Sequence, residues 1–365
     1  MAIPPDSNPK SQTPTPLTFP PQTFAKLSPH AYLSAHLNSP HGPHRPSHRT
    51  PTQWRPPTCH TGSLTHTNGS AVVRCGDTAV VCGVRAEVLR VDDVADYVPR
   101  EVEGDDNGGD GGEEEMKRKR RRKEDAEEMA RLNLLVPNIE LATGCSPAYL
   151  PGGPPSLLAQ TLTQRILTLL HTSHLLNMSD LRIWSQPPTP TPQINPTEQA
   201  AEEQELLKPE IKGFWTLYID ILFISLSGNP FDAAWLSILA ALSSARLPRA
   251  WHDIDRDTIL CSPLPSEARK LHLYDIPVAL SFGVFFGEEE GRAGREKRKW
   301  VLVDVDGFEE GVCREGGTVV VGDKGRIVKV EVGGGGGVGR EEVRGLVEMA
   351  GRRREEWIEV MGRGE

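Results

Sequence analysis

The sequence predicts an α+β protein, and three observations carry that prediction. Short β-branched runs come early, at 69–75 and 78–88. A strand-like apolar run, Phe214 to Leu226, then leads through a glycine turn into an apolar helix, Ala233 to Leu242. Further β-branched runs at 278–286, 299–306 and 317–332 precede a charged closing helix at about 340–361. Strands, a helix, more strands, a buried helix and then hairpins do not alternate as a doubly wound nucleotide fold requires.

The elements follow in order. Residues 1–23 are Pro-rich and poor in aliphatics, which predicts a disordered tail. One domain is expected over 24–361, with insertions at about 99–131, 185–212 and 287–298. Phe24 to Leu37 suggests a short helical entry, and Asn38 to Pro57 an extended chain without periodicity, so folded sequence becomes clear only near Gly62. Gly69 to Val88 predicts a hairpin around Cys75-Gly76-Asp77-Thr78. The block 99–131 runs acidic, then basic through "KRKRRRK", then acidic again, and is expected to be a solvated insertion. The fold resumes at Leu132 to Leu141. Leu158, Leu162, Ile166, Leu169 and Leu170 keep helical spacing after a Pro pair. "DLRIW" predicts a strand.

Composition narrows the function classes. The 365 residues carry a net charge of −9, so contact with nucleic acid needs a local basic patch. With 31 Pro and 35 Gly, much of the chain lies outside any core. The six Cys are scattered without a CxxC pair, as in a reducing compartment. No apolar signal core stands at the start, and no window offers the roughly 18 apolar residues of a membrane span, so a soluble intracellular protein is expected.

The most informative stretch is "SGNPFDAAWLSILAAL", Ser227 to Leu242. A strand, a glycine turn and a helix start make a ready phosphate seat, because unpaired N–H groups converge there. Here the seat is predicted closed. Asn229 suits the N-cap, Pro230 the first helical position, and Asp232 stands where a carboxylate reaches back to the cap N–H. That carboxylate repels an incoming phosphate from the place the anion would take. Asp232 reads as a cap rather than a catalytic acid, for which no partner stands out. The helix behind it is apolar nearly all round, hence buried.

Weaker signals remain. Lys117, Arg118, Lys119, Arg120, Arg121, Arg122 and Lys123 admit three readings: a nuclear import signal, an RNA-contacting arm, or a solvated charged stretch. His36, His41, His44, His48, Cys59 and His60 fit no standard zinc spacing, and a Pro-rich context predicts no rigid shell. No metal or cofactor is expected. The five glycines at 333–337 lack a following Gly-Lys-Ser/Thr and predict a flexible linker rather than a P-loop. Arg74 and Arg85 flank the first hairpin; each is a candidate RNA contact or a surface ion pair.

"NGSAVVRCGDTAVVCGVRAEV", "FWTLYIDILFISLSGNPFDAAWLSILAAL" and "LVDVDGFEE" together resemble the RNase PH family. Within it they are most similar to the non-catalytic ring subunits of the eukaryotic RNA exosome, of the ribosomal RNA-processing protein 43 type. The resemblance implies a β-α-β core like that of ribosomal protein S5 domain 2, carrying charged and Pro-rich insertions. It implies a six-membered ring around an RNA channel, with other RNase PH-like subunits and cap subunits as partners. Participation in 3'-to-5' RNA processing and location in nucleus, nucleolus and cytoplasm follow as expectations. Active members carry a Gly-Gly-Thr-Arg-like turn that holds inorganic phosphate. The resemblance places Gly228, Asn229, Pro230 and Phe231 there, so Phe231 stands for the Arg, and no Arg occurs in 213–245. A phenyl ring offers none of the charged, paired donors that phosphate needs. Active members also show two acids six apart; Asp304 and Glu310 keep that spacing, with Asp306 between, although a turn role before Gly307 suits the two aspartates as well. The expectation is a subunit without catalysis. The alternative is an active phosphorolytic 3'-to-5' exoribonuclease of the same fold.

Overall fold

The structure is a computed structural model that describes residues 19–95, 97, 111–149, 152–185, 210–253, 255–288, 297–335 and 337–363. Most of the expected N-terminal tail, and the parts 99–110, 186–209 and 289–296 of the expected insertions, lie outside the described residues.

Two sheets hold most of the strands. The first joins β1 (Pro57–Thr61), β2 (Gly69–Cys75), β3 (Thr78–Arg90), β4 (Leu135–Leu141), β5 (Arg182–Trp184) and β6 (Ile211–Ser225). Its order is β1-β2-β3-β6-β4, with β5 also on β6, and only the β4–β6 pairing is parallel. Two short ribbons follow, β7 (Arg246–Leu247) with β10 (Arg269–Lys270), and β8 (Ala250–Asp253) with β9 (Thr258–Cys261). The second sheet is fully antiparallel, in the order β12-β11-β13-β14. Its strands are β11 (Val278–Glu288), β12 (Lys297–Val303), β13 (Glu315–Val321) and β14 (Ile327–Gly333). The predicted hairpins at 69–88 and 317–332 are present as β2–β3 and β13–β14.

The helices are α1 (Pro21–Leu27), α2 (Pro29–Leu37), α3 (Gly111–Arg131), α4 (Leu157–Ser173), α5 (Met178–Leu181), α6 (Pro230–Ser244), α7 (Gly307–Glu310) and α8 (Arg340–Arg363). The expected entry helix at 24–37 is two helices broken at Ser28, because Pro29 lacks the N–H that would continue α1. Since α1 begins at Pro21, the tail ends sooner than predicted.

The centre of the molecule is α6. Every residue from Pro230 to Leu242 is buried, as its all-round apolar sequence predicts. It touches β2 and β3 of the first sheet and β11 of the second. Gly69 permits the close approach of β2, since a Cβ there would lie 2.4 Å from the Ala241 carbonyl oxygen. Trp235 is fully buried and its Nε1–H donates to the Pro277 carbonyl at 2.7 Å, which satisfies the indole donor. In α8, Leu346, Ala350, Arg353, Trp357 and Met361 are buried at helical spacing, and the helix lies against β11 and β13. No helix among the described residues is long and apolar enough to cross a membrane.

Three expectations are corrected. The end of the 99–131 block is part of the fold rather than a solvated loop. In α3, Ala126 and Met129 join the main core, and buried Glu128 accepts from Arg182 Nη2 at 2.6 Å. Glycines 333–337 do more than link. The N–H groups of Gly335 and Gly337 donate to the Glu315 carboxylate at 3.0 and 2.8 Å, and a Cβ on Gly337 would collide with Glu315 at 2.4 Å. The stretch 38–57 is structured well before Gly62, with Arg45 fully buried.

Candidate functional site

The head of α6 is a tight, internally bonded turn. Gly228 sits at φ +75, and a Cβ there would stand 2.4 Å from the Asp306 carbonyl carbon, so only glycine fits. Asn229 follows in the left-handed region at φ 49, a conformation its short polar side chain tolerates. Thr78 Oγ1 accepts from the Ser227 N–H and donates to the Gly228 carbonyl, both at 3.0 Å. The Asn229 N–H, the donor that an anion would seek, already donates to Glu310 Oε1 at 2.7 Å. Phe231 points into the interior, 3% exposed, and the Arg165 guanidinium lies over its ring at 4.2 Å. Arg165 in turn donates to Glu331 Oε2 at 3.1 Å and to Thr318 Oγ1 at 2.9 Å.

The acidic side begins where β12 ends. Asp304, at φ 52 and 1% exposed, takes a forked contact from Arg55: Nε donates to Oδ2 at 2.9 Å and Nη2 to Oδ1 at 2.7 Å. The Arg55 backbone N–H adds a bond to Oδ2 at 2.7 Å, and Asn229 Nδ2 one to Oδ1 at 2.7 Å. Burial alone would push the Asp304 pKa up, but the Arg55 hydrogen bonds and the charges of Arg353 and Arg55 hold it well below the carboxylate range. Burial pushes the Glu310 carboxyl up, against the opposing pull of the Asn229 N–H. Burial also raises Glu309, despite the Arg45 charge beside it. Asp306 caps α7, accepting from the Phe308 and Glu309 N–H groups at 3.1 and 2.9 Å while Glu309 bonds back. The turn reading of Asp306 thus holds, whereas Asp304 sits in a buried ionic cluster.

Asp232 is bonded more extensively than a cap. Its oxygens accept from Ser281 N–H at 3.1 Å, Ser281 Oγ at 2.6 Å, Asn229 Nδ2 at 2.9 Å and the Arg353 guanidinium. It does not take the Asn229 N–H, because Glu310 already does; that part of the cap prediction is corrected.

Sequence reasoning missed Arg165 over the Phe231 ring and four further arginines. Arg45 donates to the carbonyls of Pro51, Val303 and Asp304 and to Glu309 Oε2. Arg49 bonds the Asp304 carbonyl at 3.0 Å and lies 3.7 Å from Asp306. Arg55 also reaches the Ser227 carbonyl at 2.8 Å. Arg353 bonds the Ala279 carbonyl at 3.0 Å besides Asp232. A local pattern in 38–57 could not have revealed the first three, whose partners lie far along the chain. Arg353 did carry a signal, as a cation inside the apolar stripe Leu346-Ala350-Trp357.

The predicted residues divide accordingly. Phe231, Asp304 and Glu310 meet around the turn. Arg74 and Arg85 do not join them. Arg74 Nε donates to the Gly76 carbonyl at 2.8 Å, 4.0 Å from Asp77. Arg85 lies 3.4 Å from Glu87, with its guanidinium 5.6 Å from the Tyr218 ring centre. Both side chains are more than half exposed, at 66% and 57%. Lys117 to Lys123 lie on α3, where Arg120 pairs with Glu124 at 2.9 Å, Lys123 with Glu127 at 3.8 Å, and Arg122 stacks over Tyr274 at 4.3 Å.

Residues 53–248 match the sequence profile of the "3' exoribonuclease family, domain 1". The chain is 27% identical over 314 residues to the exosome complex component rrp43 of Schizosaccharomyces pombe, spanning 86% of this chain and 88% of that protein. It is 23% identical over 304 residues to the exosome complex component Rrp42 of Methanopyrus kandleri, spanning 83% and 85% of the two chains. Among solved structures, a chain of the Archaeoglobus fulgidus exosome with RNA bound to the active site superposes with a TM-score of 0.58 at 18% identity, over 92% of this chain and 99% of that one. That likeness extends the shared fold into the second sheet, beyond the matched profile. With more than half of its length inside that profile, the chain belongs to the 3' exoribonuclease family and has the RNase PH fold.

Proposed function

We propose that this chain is a structural ring subunit of an exosome and contributes no phosphorolysis of its own. It would stand beside other RNase PH-like subunits and cap subunits and help to form an RNA channel for 3'-to-5' processing and degradation, including rRNA maturation and mRNA turnover. The observation that carries this reading is Phe231. At the position where active relatives are expected to offer a phosphate-binding Arg, a buried phenyl ring lies under Arg165. Phosphorolysis brings an anionic nucleophile to an anionic phosphodiester, and both need fixed cations. Around this turn the guanidinium groups of Arg55 and Arg353 are engaged by Asp304 and Asp232. The likeness to exosome components of a yeast and an archaeon supports the ring assignment.

Two measurements test it. Size-exclusion chromatography with light scattering is expected to show a stable hetero-oligomer once RNase PH-like partners are mixed in, with a raised melting temperature. A monomer indifferent to all such partners overturns the ring assignment. Labelled single-stranded RNA with inorganic phosphate and magnesium is expected to stay intact. The second reading is an active phosphorolytic exoribonuclease of the same fold, which would draw on Asp304 and Glu310. Release of nucleoside diphosphates that Asp304→Ala abolishes would establish it. We further propose residence in nucleus, nucleolus and cytoplasm, with Lys117 to Lys123 as the import signal; an unchanged nuclear fraction of the unassembled chain after neutralising these residues removes that reading. Arg74 and Arg85 are proposed RNA contacts, tested by crosslinking the assembled ring to RNA with and without Arg74→Ala and Arg85→Ala.

A further inference from the structure

The loop that follows α2 brings together two imidazoles that the core and the candidate site do not use. Gly42, at φ +106, turns the chain back, and the His44 N–H meets the His36 carbonyl at 3.4 Å. The loop is anchored at both ends. Leu33 and Leu37 are buried before it and Arg45 behind it, so the rigid context that the Pro-rich sequence does not predict is present.

His36 Nδ1 stands 3.2 Å from His44 Nε2, with the rings nearly perpendicular at 85°. His44 Nδ1 lies 3.1 Å from the Gly42 carbonyl oxygen. A carbonyl only accepts, so Nδ1 carries the His44 proton and Nε2 presents a lone pair to His36. A carbonyl that fixes the far ring nitrogen is the usual setting of a metal-ligating His. The separation suits a chelate as well. Two metal–nitrogen bonds of about 2.0–2.1 Å across this gap subtend roughly 100°, near the tetrahedral angle.

We propose that His36 and His44 form a two-nitrogen chelate for a borderline divalent metal ion such as Zn2+, with water in the remaining positions. Imidazole suits such ions better than it suits magnesium or calcium. No group of three or more His, Cys, Asp or Glu side chains is placed for a metal among the described residues, so the site binds more weakly than a four-ligand structural zinc site. Coordination displaces the proton from His36 Nδ1; the ring takes one up at Nε2, and the neutral pair releases no net proton. Protonation at lower pH competes with the metal.

The test is calorimetric titration of the full chain with Zn2+ near neutral pH, beside His36→Gln, His44→Gln and the controls His41→Gln and His60→Gln. One equivalent is expected to bind the parent chain and both controls. Each of the first two variants is expected to lose more than about tenfold in affinity, at least the loss that follows from removing only a ligand's hydrogen-bond partner. Absence of binding to the parent chain, or unchanged affinity in both His36→Gln and His44→Gln, overturns the chelate and leaves an imidazole–imidazole hydrogen bond. Should either variant fail to fold by circular dichroism, Co2+ added to the parent chain decides. Paramagnetically shifted ring resonances of His36 and His44 support the site, and unshifted ones overturn it.

Discussion

The head of α6 and the segment 38–57 supply two walls of one site, and they are built on opposite principles. The turn Ser227–Asp232 is local: a glycine, a cap, a proline and an apolar helix, each set by near neighbours in sequence. The segment 38–57 has little regular structure, yet it delivers Arg45, Arg49 and Arg55 to carboxylates and carbonyls some 250 positions away. The difference separates two kinds of information. Local chemistry specifies the shape of the turn. Long-range pairing specifies its charge, and here that charge is cancelled within the molecule.

The largest expected effect comes from breaking the deepest pair. Arg353→Ala leaves Asp232 buried and short of its cation, at a cost of about 3–5 kcal/mol, because an uncompensated buried carboxylate is strongly destabilising. Denaturant unfolding followed by tryptophan fluorescence measures it. A change below about 1 kcal/mol would show that water reaches Asp232.

Phe231→Arg puts the family's expected cation back into the turn. It is expected to destabilise the fold by about 2–4 kcal/mol, since a buried charge would face Arg165 without a carboxylate of its own. It is also expected to restore no phosphorolysis, because the Asn229 N–H remains occupied by Glu310. Measurable phosphate-dependent RNA shortening would mean that the turn opens on its own.

Arg55→Ala removes the forked partner of Asp304 and is expected to cost about 1.5–3 kcal/mol near neutral pH. The sign of its pH dependence follows from the depressed folded pKa of Asp304. That carboxylate contributes stability above its unfolded value of about 3.9, and the contribution fades as pH falls through the folded value. The gap between parent and variant should therefore be widest above about pH 4 and shrink below it. A gap that already shrinks well above pH 4 would point to Glu310, whose folded value burial shifts upward and the Arg55 charge pulls down, and a gap that widens on acidification would overturn the assignment to Asp304.

At the small end, Arg120→Gln with Lys123→Gln is expected to change stability by less than about 0.5 kcal/mol, since both are exposed helical pairs. Glu128→Ala on the same helix should cost more, about 1–3 kcal/mol, because it removes the 2.6 Å partner of the largely buried Arg182 guanidinium and leaves Asp125 at 3.6 Å. Equal effects would mean that the end of α3 is undocked.

How far the sequence reached depends on the range of each interaction. The α6 helix was legible because its burial is written in consecutive residues, and β2–β3 and β13–β14 because alternation and turn residues sit side by side. The 99–131 block misled because seven cations in a row dominate its composition, while Ala126 and Met129, which dock it, are two apolar residues among charges. Glycines 333–337 misled for a related reason. Their composition suggests freedom, and only the distant Glu315 carboxylate gives their N–H groups a fixed task.

By itself the sequence determined that Phe231 offers no cation, that the helix behind it is buried, and that Asp304 and Glu310 stand six apart. These depend on residue identity and spacing, which folding cannot alter. Only the tertiary structure decided that Glu310 takes the Asn229 N–H, that Arg55 saturates Asp304, and that Arg353 reaches Asp232 from the closing helix. A buried charge must be matched by whichever opposite group the fold brings near, and chain distance carries no weight in that choice.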